Sequence, residues 1–173
     1  MSGEKPSLLS GRNPAPLSED EVKRAANIFL GLDKNVNVRY VETSRTLFRV
    51  GSDEQSGTEY GEIVFGPDIY PGGNIIDPNS AVTVDGAAAH ELTHYYRWKD
   101  KAVLEDPSLN HIDEALTSLE AIFRFSGQLN ETDKIRLVGD AIQRLKLYVR
   151  ERASGGAAVV AESEAVQAGE APS

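Results

Sequence analysis

Cysteine is absent from the 173 residues. That excludes disulfides, thiolate catalysis and cysteine-ligated zinc. Positive charge is in deficit: 18 Lys and Arg stand against 27 Asp and Glu, a net charge of −9. A chain of that sign is a poor partner for phosphate backbones and anionic membranes, so neither nucleic acid nor a membrane surface is expected. No run of about 18 apolar residues occurs anywhere, which removes a spanning helix. Met1 to Pro6 carries no apolar signal region. The expectation is a cytoplasmic protein. Histidine is scarce too, with three copies, and two of them fall four residues apart.

Those two belong to His90-Glu91-Leu92-Thr93-His94, a match to H-E-x-x-H. On a helix of 3.6 residues per turn, side chains four apart share a face. Two imidazoles so placed can bind one Zn²⁺ at about 2.0–2.1 Å per nitrogen. Glu91 lies about 100° round the helix from His90. It is poorly aimed as a ligand but well aimed at a water held by the ion. Zinc lowers the pKa of such a water toward ~7, and a nearby carboxylate then acts as general base. The competing reading is a pair of surface histidines on a solvated helix.

The rest of the chain divides into three parts. Residues 1–17, rich in Pro, Ser and Gly, read as a flexible lead-in. Residues 18–152 read as one domain, with an apolar fraction over the whole chain of 40%. Residues 153–173 are mostly Ala, Gly, Glu, Ser and Val without an aromatic or basic residue, and read as a disordered acidic tail. Within the domain, Ser18 with Glu21 forms a capping box for a first helix. Val36, Val38 and Tyr40 alternate as a strand, Thr46 to Val50 is a second, and Tyr60 to Phe65 a third. Asn74 to Asp77 is a short candidate fourth. No βαβ alternation appears, so the sheet is expected to be small and mainly antiparallel. The motif helix is expected from Val82–Asp85 to Lys101 with Asp85 as cap. Ile112 to Phe125 forms the next helix, and Asn130 or Thr132 caps the last. Ile135, Val138, Ile142, Leu145 and Val149 recur at 3–4 spacing there, either as a core stripe or as a homodimer seam within 131–152.

A zinc site needs a third protein ligand. Glu114 stands twenty residues after His94, a spacing at which a second helix returns a glutamate to the metal. Taken alone, it fits equally well as a solvent-facing acid near a helix start. Asp100, six residues after His94, is the rival ligand. Its pattern requires a glycine where Arg97 stands. On a continuing helix Asp100 points about 120° away from His94. Arg97 shares the histidine face and is expected to be solvated, the alternatives being a clamp on a substrate carbonyl or a pair with a carboxylate.

His90-Glu91-x-x-His94 with Glu114 resembles the gluzincin metallopeptidases, over about 35 residues from Ala87 to Ala121. The short chain is closer to minimal members such as the ImmA/IrrE-like peptidases than to two-lobed thermolysin-like enzymes. The resemblance implies an α+β zincin-like domain in which a small sheet packs against an active-site helix and two or three others. It implies His90, His94 and Glu114 as zinc ligands and Glu91 as general base. It implies a protein or peptide substrate, bound as an extra strand along a sheet edge, here Asn74 to Asp77 or Tyr60 to Phe65. Two departures stand out. Thermolysin-like enzymes carry an aspartate four residues after the glutamate ligand, where this chain has Ser118. The family's downstream oxyanion-stabilising histidine has no counterpart, and His111 is the candidate substitute, with Tyr70, Tyr95 and Tyr96 behind it. The expected activity is peptide-bond hydrolysis. The alternatives are a non-catalytic zinc-binding interaction module and a metal-free adaptor that dimerises through 135–149.

Overall fold

The computed structural model describes residues 11–168, with side chains through residue 155. Helix α1 spans Glu19–Leu32 and begins at the expected capping box. Ser18 accepts from the Glu21 amide, and the Glu21 side chain accepts from the Ser18 amide. Three strands follow, β1 (Val38–Tyr40), β2 (Leu47–Ser52) and β3 (Glu59–Phe65). Then come α2 (Val84–Lys99), α3 (Asn110–Arg124) and α4 (Glu131–Ala168). The class is α+β.

The sheet order is β1-β3-β2, with β3 in the middle. β2 and β3 are antiparallel, in register from Leu47 with Val64 to Ser52 with Glu59. β1 runs parallel to β3, pairing Val38 to Tyr40 with Ile63 to Phe65. The sheet is therefore mixed, not mainly antiparallel. The β2 hairpin step occupies one edge of β3, and β1 reaches the other edge in the same direction. Asn74 to Asp77 is not a strand. Asn74 Oδ1 accepts from the amides of Ile76 and Asp77, an Asx turn that removes those donors from any ladder. Ile75 and Ile76 stand exposed on it.

Helix α2 is the hub, contacting α1, β2, β3, α3 and α4. Thr83, not Asp85, is its N-cap: Thr83 Oγ1 accepts from the Gly86 amide at 3.0 Å and donates to Asp133 of α4 at 2.7 Å. Ala87, Ala88, Ala89 and Leu92 are wholly buried. Small side chains there let the backbone approach the sheet residues Ile63 and Phe65. Arg97 is not solvated. It is buried, donating to Asp113 at 2.6 Å, Glu120 at 2.8 Å and the Ala102 carbonyl at 2.9 Å. That clamp holds the α2–α3 connection against both helices.

Three further expectations change. Residues 11–17 are not a loose lead-in, because Arg12 is buried beneath the loop that precedes α2. Helix α4 continues to Ala168, so 153–168 is helical where composition suggested a disordered tail. Alanine and glutamate are strong helix formers, and the segment extends a helix already nucleated by packing. Residues 1–10 and 169–173 lie outside the described residues. Finally, the 135–149 stripe is not core. Ile135, Val138, Ile142, Leu145 and Val149 are all exposed, and Leu137, Ala141 and Arg144 form the buried face of α4. Leu137→Ala is accordingly expected to cost about 2–5 kcal/mol in a urea melt. Ile142→Ala is expected to stay within about 0.5 kcal/mol. A homodimer through this face would show itself as an Ile142 effect that depends on protein concentration.

Candidate metal centre

The middle turns of α2 fix His90 and His94 on one face, four residues apart on a well-packed helix. The second turn of α3 brings Glu114 to them. His90 Nε2 lies 3.1 Å from Glu114 Oε2 and 3.1 Å from His94 Nε2, and His94 Nε2 lies 3.3 Å from Glu114 Oε2. The three atoms form a nearly equilateral triangle. Tetrahedral coordination with metal–ligand lengths of about 2.0–2.1 Å requires ligand separations of about 3.3 Å. These residues form the His/His/carboxylate group that can hold a metal ion among the described residues. His90 is fully buried, and His94 and Glu114 keep a little exposure.

The electrostatics explain why a cation fits. Burial pushes the Glu114 carboxyl up, but the imidazoles of His94 and His90 and the Arg144 guanidinium outweigh it and hold it well below the usual carboxylate range. Burial pulls His94 down, but the Glu114 charge, with Glu91 and Asp113 beyond it, raises it above the ordinary histidine value. His90 shifts the other way: burial dominates and keeps it neutral. An ionised carboxylate and a neutral imidazole therefore share a dry site. Arg144 already offsets part of the Glu114 charge, and a proton on His94 Nε2 or a metal ion among the three atoms complements the rest.

Glu91 lies on the same turn and is fully buried. Its charge acts on His94 and on Arg12. Asp100 is not part of the group: it caps α2 and pairs with Arg124 at 2.7 Å. His111 is apart from it as well, with its Nε2 2.9 Å from Glu151 of α4. Tyr95 and Tyr96 pack with Phe48, Trp98 and Phe125. Tyr96 also hydrogen-bonds Asp33, and Tyr70 donates to the Glu21 carbonyl at 2.8 Å.

Three further residues join the site: Ser118, at the position where the resemblance expects an aspartate, and Asp140 and Arg144, which carry no signal in the sequence. Ser118 Oγ lies 2.8 Å from His90 Nδ1 and donates to Asp140 at 2.7 Å. Arg144 donates to Asp140 at 2.8 Å and places Nη1 3.2 Å from Glu114 Oε2. An Asp and an Arg four apart on a helix ordinarily mark a solvated ion pair. Here both are buried, and only the packing of α4 against α3 reveals it.

Beside the site, Gly61 of β3 packs under Tyr95, so closely that a Cβ there would lie 2.7 Å from the ring. Glu59, Tyr60, Gly61, Tyr95 and Trp98 line a cleft of about 770 Å³. No helix among the described residues is long and apolar enough to cross a membrane. No family model matches the chain, and no match was found among curated proteins or solved structures.

Proposed function

We propose that the chain is a minimal gluzincin-type zinc peptidase with a zincin-like fold. The observation that carries the reading is the ligand triangle of His90, His94 and Glu114, with sides of 3.1, 3.1 and 3.3 Å. Two imidazole nitrogens and one carboxylate oxygen suit zinc, and three protein ligands leave a fourth position for substrate or water. When bound, zinc supplies Lewis-acid polarisation of the scissile carbonyl and a water acidified toward ~7. Glu91 takes the proton of the attacking water on its carboxylate and hands it to the leaving amine nitrogen.

The substrate path in this reading runs along β3. Ile63 sends its amide to Asn37 on the β1 side, so alternation turns the main-chain groups of Gly61 and Glu59 to that side as well. β1 pairs only Ile63 to Phe65. The free edge is thus Glu59 to Gly61, shorter than the Tyr60–Phe65 edge expected from sequence, and it lies against Tyr95, the neighbour of His94.

Complete burial of Glu91 favours a second reading, a zinc-binding module without catalysis. One experiment orders both. Metal content is measured on purified wild type, His94→Ala and Glu114→Ala, and cleavage of a denatured-protein peptide library is followed by mass spectrometry. About one zinc per chain, lost in both variants, with chelator-sensitive cleavage is the expected result. Zinc without cleavage leaves the binding module. A folded wild type that takes up no zinc on reconstitution overturns both.

A further inference from the structure

The His90 ring is held from behind by a buried chain that crosses three helices. Asp140 of α4 is ion-paired with Arg144 at 2.8 Å, so it is ionised and accepts only. The Ser118 hydroxyl has one proton and directs it to Asp140 at 2.7 Å. Toward His90 the same oxygen then offers only lone pairs. The Nδ1 atom 2.8 Å away must therefore carry the hydrogen. With Nδ1 tied to Ser118, Nε2, which lies 3.1 Å from both Glu114 Oε2 and His94 Nε2, is the ring atom left to face a metal.

We propose that Asp140, acting through Ser118, is a positioning residue that fixes the Nε2-ligating tautomer and ring orientation of His90. Ser118 alone cannot do this, because a free hydroxyl donates to or accepts from either tautomer. The carboxylate on the next helix removes that choice. Arg144 completes the arrangement by touching both Asp140 and Glu114, so one guanidinium references two parts of the site to the same helix. Outer partners of ligating histidines typically govern about 10–100-fold of metal affinity.

The inference rests on the metal-centre reading, and the test separates the two. Zn²⁺ affinity is measured by competition with a chromophoric chelator for wild type, Ser118→Ala, Asp140→Asn and the double variant. The His90 tautomer is read in parallel from imidazole ¹⁵N shifts of the metal-free full-length protein. The expected result is a 10–100-fold loss of affinity in Ser118→Ala, a loss in Asp140→Asn, and a double variant no worse than the larger single effect. The wild-type ring should be Nδ1–H and lose that exclusivity in Ser118→Ala. Because Ser118→Ala removes a single oxygen, thermal melting serves as its fold control. Wild-type affinity in folded Ser118→Ala, or an unchanged Nδ1–H ring there, overturns the proposal. If wild type binds no zinc, the metal reading fails, and the tautomer spectra still decide the role of Asp140: an exclusive Nδ1–H ring in wild type that stays exclusive in folded Asp140→Asn overturns the proposal.

Discussion

Arg12→Met is expected to lower the unfolding free energy by about 3–5 kcal/mol, read from urea melts at an unchanged slope. Arg12 is buried and its guanidinium donates to four carbonyls, those of Asp68 (2.9 Å), Ile69 (2.8 Å), Asn79 (2.9 Å) and Val82 (2.6 Å). A hydrogen bond from a charged donor contributes about 1.5–3 kcal/mol, and a buried acceptor left unmade costs about 1–3 kcal/mol. Four simple deletions would exceed the total stability of many domains. The effects are not additive, because one side chain makes all four bonds. Burial pulls the guanidinium down to about 10, against Asp68, Asp140 and Glu91, so it stays charged at neutral pH. Arg12→Lys keeps the charge but loses the planar fork and is expected to fall between wild type and Arg12→Met. A loss below about 1 kcal/mol in Arg12→Met would show that 11–17 does not anchor the loop. Gly72 speaks for the anchor, since a Cβ there would lie 1.8 Å from the Gly11 carbonyl oxygen.

The same residue marks where sequence reading stops. Pro, Ser and Gly near a terminus describe local freedom, and Arg12 gains its partners from residues 56 to 70 positions away. His90 and His94 were legible because helix geometry alone brings them together. Glu114 was legible because a helix return is a short-range event, and Asp100 fails because α2 ends on it. Asp140 and Arg144 were not legible, since the pattern that places them shows only which residues share a helix face. There the apolar pattern misled: the stripe at 135–149 is the more regular one, yet the buried face carries Leu137, Ala141 and three charged residues, Asp133, Asp140 and Arg144. The sheet was legible strand by strand, but the parallel pairing of β1 with β3 depends on a crossover that alternation within a strand does not encode. The last helix exceeded its expected end because composition separates disorder from a packed core, not from a helix that needs no core.

Glu91→Gln is the variant with the largest expected catalytic effect: a loss of at least about 10²–10⁴-fold in cleavage, with zinc content unchanged. The amide preserves volume in a position with no exposure, so the His90, His94 and Glu114 ligands keep their supports. It cannot accept the proton of the attacking water. It also removes a negative charge that acts on His94 and Arg12, so a modest fall in stability should accompany the loss. The two effects separate by measurement. If activity fell only because the fold weakened, cleavage at a temperature well below the melting midpoint would return toward wild type. If Glu91 is the general base, the loss persists at every temperature where the protein is folded and fully metallated. Residual cleavage equal to wild type in a folded, zinc-loaded Glu91→Gln protein would remove Glu91 from the mechanism. Its full burial would then mark a structural carboxylate that balances Arg12.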